Sequence, residues 1–338
     1  MSIALVIPGR NCAATLDRCL QSVVPLRSLG YAAQLQEIVF VDDGSTDATA
    51  EIAARYSNVR VIAGRGVGAA AARNDGIATT DAKFIWCLDA DCIAQPETLS
   101  QLLAGFDNGA VAAVGGSLGN ANPHSLLAEL IQDEISCRHS QMPSSVNFLA
   151  SGNVVYRKTA FEAVGGFDES FRWAHDAELA YRFIAKGQQL RFCPQADVLH
   201  HHFTNWWSYL CKQAAYAKNR MYLYQRYPKT TRGDDYSSWI DHIQPPLALV
   251  CLCSMPLLGF SATWFVPAAI LMILICLSAA TTFKVYRQNP RLRAAAFIPF
   301  VAVRAFARAI GACCGICTVA ASNRGRGAQE SLPEGQAL

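Results

Sequence analysis

The chain has 338 residues with a formal net charge of +3, and its apolar fraction of 52% is high for a purely soluble protein of about two domains. The residues from Lys284 onward carry a net charge of +6 and the rest −3, so we expect no basic face for nucleic acid. The 13 cysteines are scattered, several of them within apolar runs, so we interpret them as small hydrophobic residues and not as a disulfide framework.

Strand-like and helix-like patterns alternate along the first 200 or so residues, which predicts a parallel α/β architecture. The predicted strands cover residues 3–7, 37–41, 59–63, 84–88, 111–114, 151–156 and 190–202. The predicted helices cover residues 14–24, a segment ending at Tyr56 with Ser45 or Thr46 as N-cap, the segment around 69–74, a helix opened by Pro96, residues 125–138 and a helix starting at His175. The rest of the region 120–148 is expected to form a mobile loop.

Two carboxylates, Asp89 and Asp91, directly follow the fourth predicted strand. In open α/β sheets, ligands bind beyond the carboxyl ends of the strands. Two oxygen donors at such a place suit Mg²⁺ or Mn²⁺, which commonly share their coordination with substrate phosphates. The alternative for this motif by itself is a solvated, Asp-rich turn.

Two other strand ends carry acids or glycines. Asp42 and Asp43 follow the second strand, and a glycine-rich loop at residues 64–68 follows the third. These ends can converge on one crevice, which favours a nucleotide ligand. The loop departs from the dinucleotide fingerprint and does not follow the first strand, so NAD is disfavoured. Its amides are expected to support a diphosphate at a helix N-terminus, with Arg73 as a counter-charge.

Taken in order, these segments resemble the inverting nucleotide-sugar glycosyltransferases of family 2. The resemblance covers residues 3–202 and implies the fold class α/β, with a GT-A (Rossmann-like, nucleotide-diphospho-sugar transferase) domain. The matching motifs are Val6-Ile7-Pro8, Val41-Asp42-Asp43-Gly44-Ser45, Ala72-Arg73-Asn74-x-Gly76, Leu88-Asp89-Ala90-Asp91, Gly165-Gly166-Phe167-Asp168-Glu169 and His175-Asp176-x-Glu178-Leu179-x-x-Arg182.

The resemblance implies a role for each matching residue. Donor-binding residues would be Pro8, Asp42, Asp43, Arg73 and Asp89. The cation, Mn²⁺ or Mg²⁺, would be held by Asp91 with Asp89 and, as first choice among three consecutive histidines at the last strand end, His200. The catalytic base would be Asp176, and acceptor-side residues would be Gly152, Asn153, Asp168 and Glu178.

Two features qualify these assignments. The residue before the base is His175, where the family commonly has an acid. The three histidines at residues 200–202 have a second interpretation as surface residues at a strand exit. If the assignments hold, a cation and an arginine neutralise the leaving diphosphate, and a carboxylate deprotonates the attacking hydroxyl. One displacement then inverts the anomeric centre.

Residues 243–283 contain no Asp, Glu, Lys or Arg. One helix of that length would be on the order of 60 Å long, about twice a bilayer core, so we predict a two-helix hairpin turning near residues 259–263. The alternatives are one tilted span near residues 264–283 after an interfacial helix, or a buried helix pair. The adjacent basic residues and the absence of a recognisable signal peptide predict the cytoplasmic (inner) membrane, with the catalytic domain in the cytoplasm.

The segments around the hairpin carry further signals. Residues 205–242 interleave aromatic and basic side chains, which favours an amphipathic interfacial linker; a domain-closing helix or an RNA-stacking surface are the alternatives. Residues 294–321 contain Arg304 and Arg308, which favours a helix in the interface or packed on the hairpin, and Gly311-x-x-x-Gly315 suggests close helix packing. We therefore divide the chain into a catalytic domain (1–204), the linker (205–242), membrane helices (243–321) and a disordered tail (322–338).

The leading hypothesis is a membrane-anchored inverting glycosyltransferase. It would move a sugar from a UDP- or GDP-sugar to a lipid-linked glycan or lipid. Processive relatives usually have a Gln-x-x-Arg-Trp motif, and the segment starting at Gln213 departs from it at the last two positions, which favours transfer of one sugar per encounter. The alternatives are a sugar-phosphate nucleotidyltransferase, for which the first strand lacks the glycine-rich signature, and a catalytically silent membrane scaffold.

Overall fold

The computed structural model describes residues 2–27, 35–228, 231, 233–288 and 293–330. In this part of the chain the strands are β1 (Ile3–Gly9), β2 (Leu35–Asp42), β3 (Val59–Ala63), β4 (Phe84–Leu88), β5 (Cys92–Ala94), β6 (Val111–Asn120), β7 (Ser145–Val146), β8 (Asn153–Arg157) and β9 (Gln189–His200). The helices are α1 (Ala13–Val23), α2 (Thr49–Ala54), α3 (Ala69–Ala78), α4 (Thr98–Ala104), α5 (Leu126–His139), α6 (Lys158–Ala163), α7 (His175–Ala185), α8 (Trp206–Arg226), α9 (Trp239–Ser254), α10 (Phe265–Gln288) and α11 (Ala294–Glu330).

The chain forms two compact units. The first comprises Met1–Thr204 and Asp234–Ser237, and the second comprises Asn205–Gly233 and Ser238–Leu338. All nine strands lie in the first unit, and α8 to α11 lie in the second.

The strands form one sheet in the order β3-β2-β1-β4-β8-β6-β9-β5, with β7 paired to β9. The strands β3, β2, β1 and β4 are parallel, as predicted. The prediction of a parallel sheet is wrong for β8, which is antiparallel to both β4 and β6, and for β5, which is antiparallel to β9. Val154 of β8 is opposite Gly115 of β6 and Tyr156 is opposite Ala113, so β8 runs toward the start of β6.

The sheet is covered on both faces, which explains why β1 is buried along its whole length. Ile3, Leu5 and Ile7 belong to one buried cluster with residues of α1, α2 and α4. Ala4 and Val6 belong to a second cluster with residues of α3, α6 and α7. Alternate side chains of one strand therefore anchor two helical layers and fix where the strand ends lie.

The start of α2 differs from the prediction. The helix begins at Thr49, and Asp47 Oδ1 accepts a hydrogen bond from the Thr49 amide at 3.1 Å. Ser45 Oγ instead accepts from the Asn11 amide at 2.9 Å, and the Thr46 amide donates to Asn11 Oδ1 at 2.8 Å. Ser45 and Thr46 are therefore not N-caps, because they join the turns after β1 and β2.

The second unit contains the predicted hairpin. α9 and α10 are joined by a short 3₁₀ segment, Met255–Gly259, and a turn, so the predicted position of the reversal is confirmed. Together with α11, these are three helices that are long and apolar enough to cross a membrane: Trp239–Gly259, Phe265–Arg287 and Ala294–Ala320. α11 continues to Glu330, past the start of the segment predicted to be a disordered tail, and residues 331–338 lie outside the described residues.

Within this unit, α11 packs closely on α8. A Cβ atom at Gly311 would lie 2.0 Å from the carbonyl oxygen of Ala214, and one at Gly315 would lie 2.7 Å from that of Lys218. The predicted packing role of these glycines is confirmed, since only glycine allows two backbones to approach so closely. A small apolar cluster joins α9, α10 and α11 through Ala248, Cys251, Leu274, Ala305 and Ala309.

Two arginines within α11 have partners in the second unit. Arg308 donates to Asp241 Oδ1 and to Gln213 Oε1, each at 2.8 Å. Arg304, which is 3% exposed, lies over the ring of Phe300. The contacts of α11 with α9 and α10 agree with the predicted helix packed on the hairpin.

Candidate active site

Four of the five predicted donor residues, Pro8, Asp42, Asp43 and Asp89, lie at the carboxyl ends of β1, β2 and β4, because these strands are parallel and end together. Pro8 of β1 is opposite Val41 of β2 in the ladder. The Asp43 amide donates to the Gly9 carbonyl at 2.8 Å and ties the two strand ends together. Asp42 is half-buried, and its Oδ1 accepts from the Ser45 amide at 3.0 Å.

The carboxylate of Asp43 is hydrogen-bonded to the protein backbone. Its side chain is 3% exposed, and its two oxygens accept from the amides of Gly66 and Gly68, each at 2.8 Å. Gly66 and Gly68 have φ angles of +72° and +126°, which the turn requires and which glycine alone adopts without strain. Two of the loop amides expected to support a diphosphate, those of Gly66 and Gly68, therefore donate to Asp43 instead.

Arg73 is buried beneath Asp89 and does not project as a counter-charge. It is 3% exposed and forms an ion pair with Asp89 Oδ1, whose side chain is 35% exposed. Its Nη1 also donates to the carbonyl of Ala69 at 3.3 Å and contacts His175 Nε2 at 3.1 Å. Burial acts to lower the pKa of the guanidinium, but the neighbouring groups that raise it, of which Asp89 is the largest, together outweigh burial, so the pKa is raised and Arg73 stays charged.

Gly152 lies against the same carboxylate. A Cβ at this position would be 2.8 Å from Asp89 Oδ2, and the Asp89 amide donates to the Gly152 carbonyl at 3.1 Å. The next residue, Asn153, is 1% exposed and joins three strands, because it accepts from Trp86 Nε1 at 3.1 Å and donates to the Ala196 carbonyl at 2.9 Å. Gly152 therefore lies directly against Asp89, whereas both amide groups of Asn153 are used in hydrogen bonds within the sheet.

Asp176, the predicted base, lies half-buried in the first turn of α7, where the helix dipole favours a negative charge. The residue before the helix, Ala174, has a φ of +65°, a strained conformation for alanine. His175 is 6% exposed and contacts both Arg73 and, at 3.4 Å, Ser151 Oγ. Asp176 thus directly follows His175, which contacts Arg73, the ion-pair partner of Asp89.

The other two predicted acceptor-side acids have local partners. Asp168 Oδ1 accepts from the amide of Ser170 at 2.9 Å and from its hydroxyl at 2.6 Å. Glu178 is completely buried and binds Arg182 through both oxygens, at 2.8 and 2.5 Å. These contacts give Asp168 a turn-forming role and Glu178 a packing role.

The metal-binding prediction places Asp91, Asp89 and His200 together, and the structure pairs two of them. Asp91 Oδ2 lies 3.4 Å from His200 Nε2, and among the described residues these two and Cys92 form a group whose ligand atoms lie within 4.8 Å of one another. Burial raises the pKa of the Cys92 thiol well above its usual value, so it is not available as a thiolate. The remaining oxygen and nitrogen donors fit Mn²⁺ or Mg²⁺, while Asp89 faces Arg73.

Behind His200 lies a group of polar side chains whose contacts with one another the sequence does not predict. His200 Nδ1 lies 2.9 Å from His202 Nδ1, and His202 Nε2 lies 2.8 Å from Gln132 Oε1. His202 is 5% exposed, and burial lowers its pKa to about 3. The two-residue repeat of extended chain places residues 200 and 202 on one side and could have indicated the first contact. Nothing in the sequence marks Gln132 as a partner, because it lies 70 residues away on α5.

Comparisons with known proteins place these observations in context. The family model for glycosyl transferase family 2 matches residues 4–165. A pre-mycofactocin glycosyltransferase of Mycobacterium tuberculosis is 30% identical over 253 residues, which cover 70% of this chain and 52% of that protein. An O-antigen chain rhamnosyltransferase of Salmonella anatum is 30% identical over 183 residues, covering 50% and 58%. The chain thus spans about half the length of these curated relatives.

Among solved structures, the chain is similar to a mannosyltransferase of Pyrobaculum calidifontis in complex with GDP-Man and Mn²⁺. The TM-score is 0.58 at 16% identity, and the alignment covers 93% of this chain and 86% of that one. This likeness shows the fold and confirms the predicted GT-A fold class with its C-terminal helices.

Proposed function

Because residues 4–165 belong to glycosyltransferase family 2, we propose that this chain is a membrane-anchored, metal-dependent, inverting glycosyltransferase. It takes a UDP- or GDP-sugar as donor and a hydroxyl of a lipid-linked glycan or a lipid as acceptor, and transfers one sugar per encounter. The observation that carries the proposal is the pair of Asp91 Oδ2 and His200 Nε2, 3.4 Å apart. Asp91 lies in the same turn between β4 and β5 as Asp89, which forms the ion pair with Arg73. The Mn²⁺ and GDP-Man bound by the mannosyltransferase neighbour support it.

The donor side of the proposal uses residues at the strand ends. Pro8 and Asp42 frame the nucleoside, and Asp89, held by Arg73, lies beside it. Asp43 contributes by shaping the glycine loop through its two amide contacts. Asp91 and His200 hold Mn²⁺ or Mg²⁺. When bound, the cation supplies positive charge that stabilises the departing nucleoside diphosphate.

The acceptor side of the proposal uses Asp176. Its carboxylate takes the proton of the acceptor hydroxyl, and the oxygen lone pair forms the new bond to the anomeric carbon. The bond from that carbon to the diphosphate breaks at the same time, and its electron pair leaves with the diphosphate. Attack opposite the leaving group inverts the anomeric centre. The contact of His175 with Arg73 holds the two sides in a fixed relation, because it joins the start of α7 to the partner of Asp89.

The membrane part of the proposal rests on the second unit. Its three long apolar helices suit an anchor in the cytoplasmic membrane. The positive charges at Lys284, Arg287 and Arg293 favour a cytoplasmic position for the loop after α10. The aromatic residues Trp206 and Trp207 at the start of α8 are 42% and 75% exposed, as expected for a helix at the headgroup level. These features favour a lipid-linked acceptor.

The test is a titration of the full chain in detergent with UDP-sugars and GDP-sugars, with and without Mn²⁺. We expect one donor class to bind only with the metal, and Asp91→Ala to abolish that binding. Asp81→Ala, which removes an exposed carboxylate elsewhere in the same unit, is the matched control and should bind like the wild type. Asp176→Asn should bind donor normally and lose transfer. A folded wild-type protein that binds no donor would contradict the proposal and favour the silent scaffold.

A further inference from the structure

A continuous chain of hydrogen-bonding groups leads from the Asp91–His200 pair into α5. His200 Nδ1 contacts His202 Nδ1 at 2.9 Å, and His202 Nε2 contacts Gln132 Oε1 at 2.8 Å. Gln132 Nε2 ends the chain, because it donates to the Leu118 carbonyl and to Ser136 Oγ, each at 2.9 Å. The group joins the end of β9 to α5 and β6, so it is built from three separate parts of the first unit.

The carbonyl of Leu118 determines the orientation of the Gln132 amide and, through it, which nitrogen of His202 donates. The Leu118 carbonyl can only accept, so the group facing it is the amide nitrogen of Gln132, and the amide oxygen must face His202. His202 Nε2 therefore carries a hydrogen. A charged imidazole at a 5% exposed position beside a second imidazole would be costly, so His202 is neutral and its Nδ1 accepts.

The state of His202 determines which nitrogen of His200 donates to it. Since His202 Nδ1 accepts, His200 Nδ1 carries a hydrogen. In the neutral imidazole, the form that binds a metal, the lone pair of His200 is then on Nε2. That nitrogen lies 3.4 Å from Asp91 Oδ2. Two electron-rich atoms then face each other, and this arrangement is favourable when a cation lies against both.

We propose that Gln132 and His202 are positioning residues that fix His200 in the tautomer whose Nε2 binds the divalent cation. This inference rests on the proposed function, since it assumes the cation site at Asp91 and His200. Hydrogen-bond partners behind a metal-ligating histidine typically change metal affinity by about 10- to 100-fold. Gln132 acts through one intervening ring, so we expect an effect of about tenfold at that position.

The experiment measures Mn²⁺ binding by the full chain in detergent with UDP present, by isothermal titration. Pulsed EPR of the bound Mn²⁺ reports the ¹⁴N coupling of a ligating histidine. Gln132→Met keeps the side-chain length and removes the acceptor, and it should weaken Mn²⁺ binding about tenfold and reduce the ¹⁴N coupling. Gln132→Glu restores an acceptor for His202 and should recover most of both signals. Ser136→Ala is the matched control, because it removes a partner of the same amide without touching the oxygen that faces His202.

A second variant, His202→Phe, keeps a ring of similar size and removes both nitrogens. It should lose at least as much affinity as Gln132→Met, with thermal unfolding confirming that each variant is folded. Wild-type affinity and ¹⁴N coupling in both Gln132→Met and His202→Phe would overturn the inference, as would a Gln132→Glu variant no better than Gln132→Met. Failure of the wild type itself to bind Mn²⁺ would overturn the proposed metal site, so the two failures are distinguishable.

Discussion

Gly152 offers a test of whether the position of Asp89 matters for transfer. In Gly152→Ala, the new Cβ would lie 2.8 Å from Asp89 Oδ2. An ordinary contact needs about 3.5 Å, so the carboxylate must move by roughly 0.5 Å or more. It cannot move without disturbing Arg73, because Oδ1 of the same carboxylate forms the ion pair with that buried guanidinium.

The expected effect is large on activity and small on stability. A misplacement of about 1 Å at a reacting group can cost about 100-fold in rate, so a shift of half that size should lower kcat/KM about tenfold. Overpacking costs about 1–3 kcal/mol, and the loss of glycine flexibility in the unfolded chain offsets about 0.4–1 kcal/mol. The net destabilisation should be about 1 kcal/mol, a shift of a few degrees in Tm.

The assay is transfer from whichever donor the wild type accepts, measured with thermal unfolding of the same preparations. Gly109→Ala is the matched control, because a Cβ there meets no atom within 4 Å, and it should change neither quantity. Wild-type transfer by Gly152→Ala would refute the reasoning that Asp89 must be held in place. A loss of activity fully explained by unfolded protein would refute it as well.

Three further predictions concern other parts of the chain. Gly311→Leu should lower the Tm of the detergent-solubilised chain by several degrees, because a Cβ there would lie 2.0 Å from the Ala214 carbonyl oxygen. Burial lowers the pKa of His139 from 6.5 to about 4. The contribution of the neutral side chain to the free energy of unfolding, up to about 3 kcal/mol, should therefore be complete above pH 6.5 and disappear as the pH falls toward 4. The measurement is unfolding at each pH, with His139→Phe as the reference. Asp43→Asn should cost about 1–3 kcal/mol of stability and weaken donor binding, because an amide NH₂ would face a backbone amide that now donates to a carboxylate.

Each of these has a control or a contradicting result. Gly259→Leu, at a glycine with no atom within 4 Å of its Cβ position, should leave the Tm nearly unchanged. Equal pH dependence of unfolding in the wild type and in His139→Phe would show that His139 does not titrate as described. An Asp43→Asn variant with wild-type Tm and weakened donor binding would show that Asp43 touches the donor directly.

The sequence predicts the strand ends well, and it predicts side-chain partners poorly. The third strand, Val59–Ala63, is found at the predicted bounds, because a short apolar run between turn residues leaves little freedom in where the strand begins or ends. The antiparallel direction of β8 could not be predicted, since local periodicity contains no information on which end of the sheet a strand enters. Asp89 and Asp91 could be located from the sequence because they directly follow a buried apolar run. The end of such a run is also the signal that locates the strand.

The misplaced expectations share one physical cause. Arg73 and Asp43 are charged residues near a predicted phosphate site, and a sequence shows their charge but not their burial. In the structure each is 3% exposed, and a charge at that depth must find a partner in the protein. Arg73 pairs with Asp89, and Asp43 accepts hydrogen bonds from the amides of Gly66 and Gly68. Two charged side chains that the sequence suggests are available to a ligand therefore stabilise the structure of the site.

The contacts of Arg73 and Asp43 within the protein affect which groups can balance the charge of the leaving diphosphate. The sequence suggested three sources of positive character near the leaving group: the glycine-loop amides, Arg73 and a divalent cation. The amides of Gly66 and Gly68 donate to Asp43, and Arg73 is neutralised by Asp89. Under the proposed function, the cation at Asp91 and His200 therefore carries more of this charge balance than the sequence suggested. Under these proposals, Asp91 and His200 alone would hold the metal weakly, so the tautomer of His200, and with it His202 and Gln132, would determine activity.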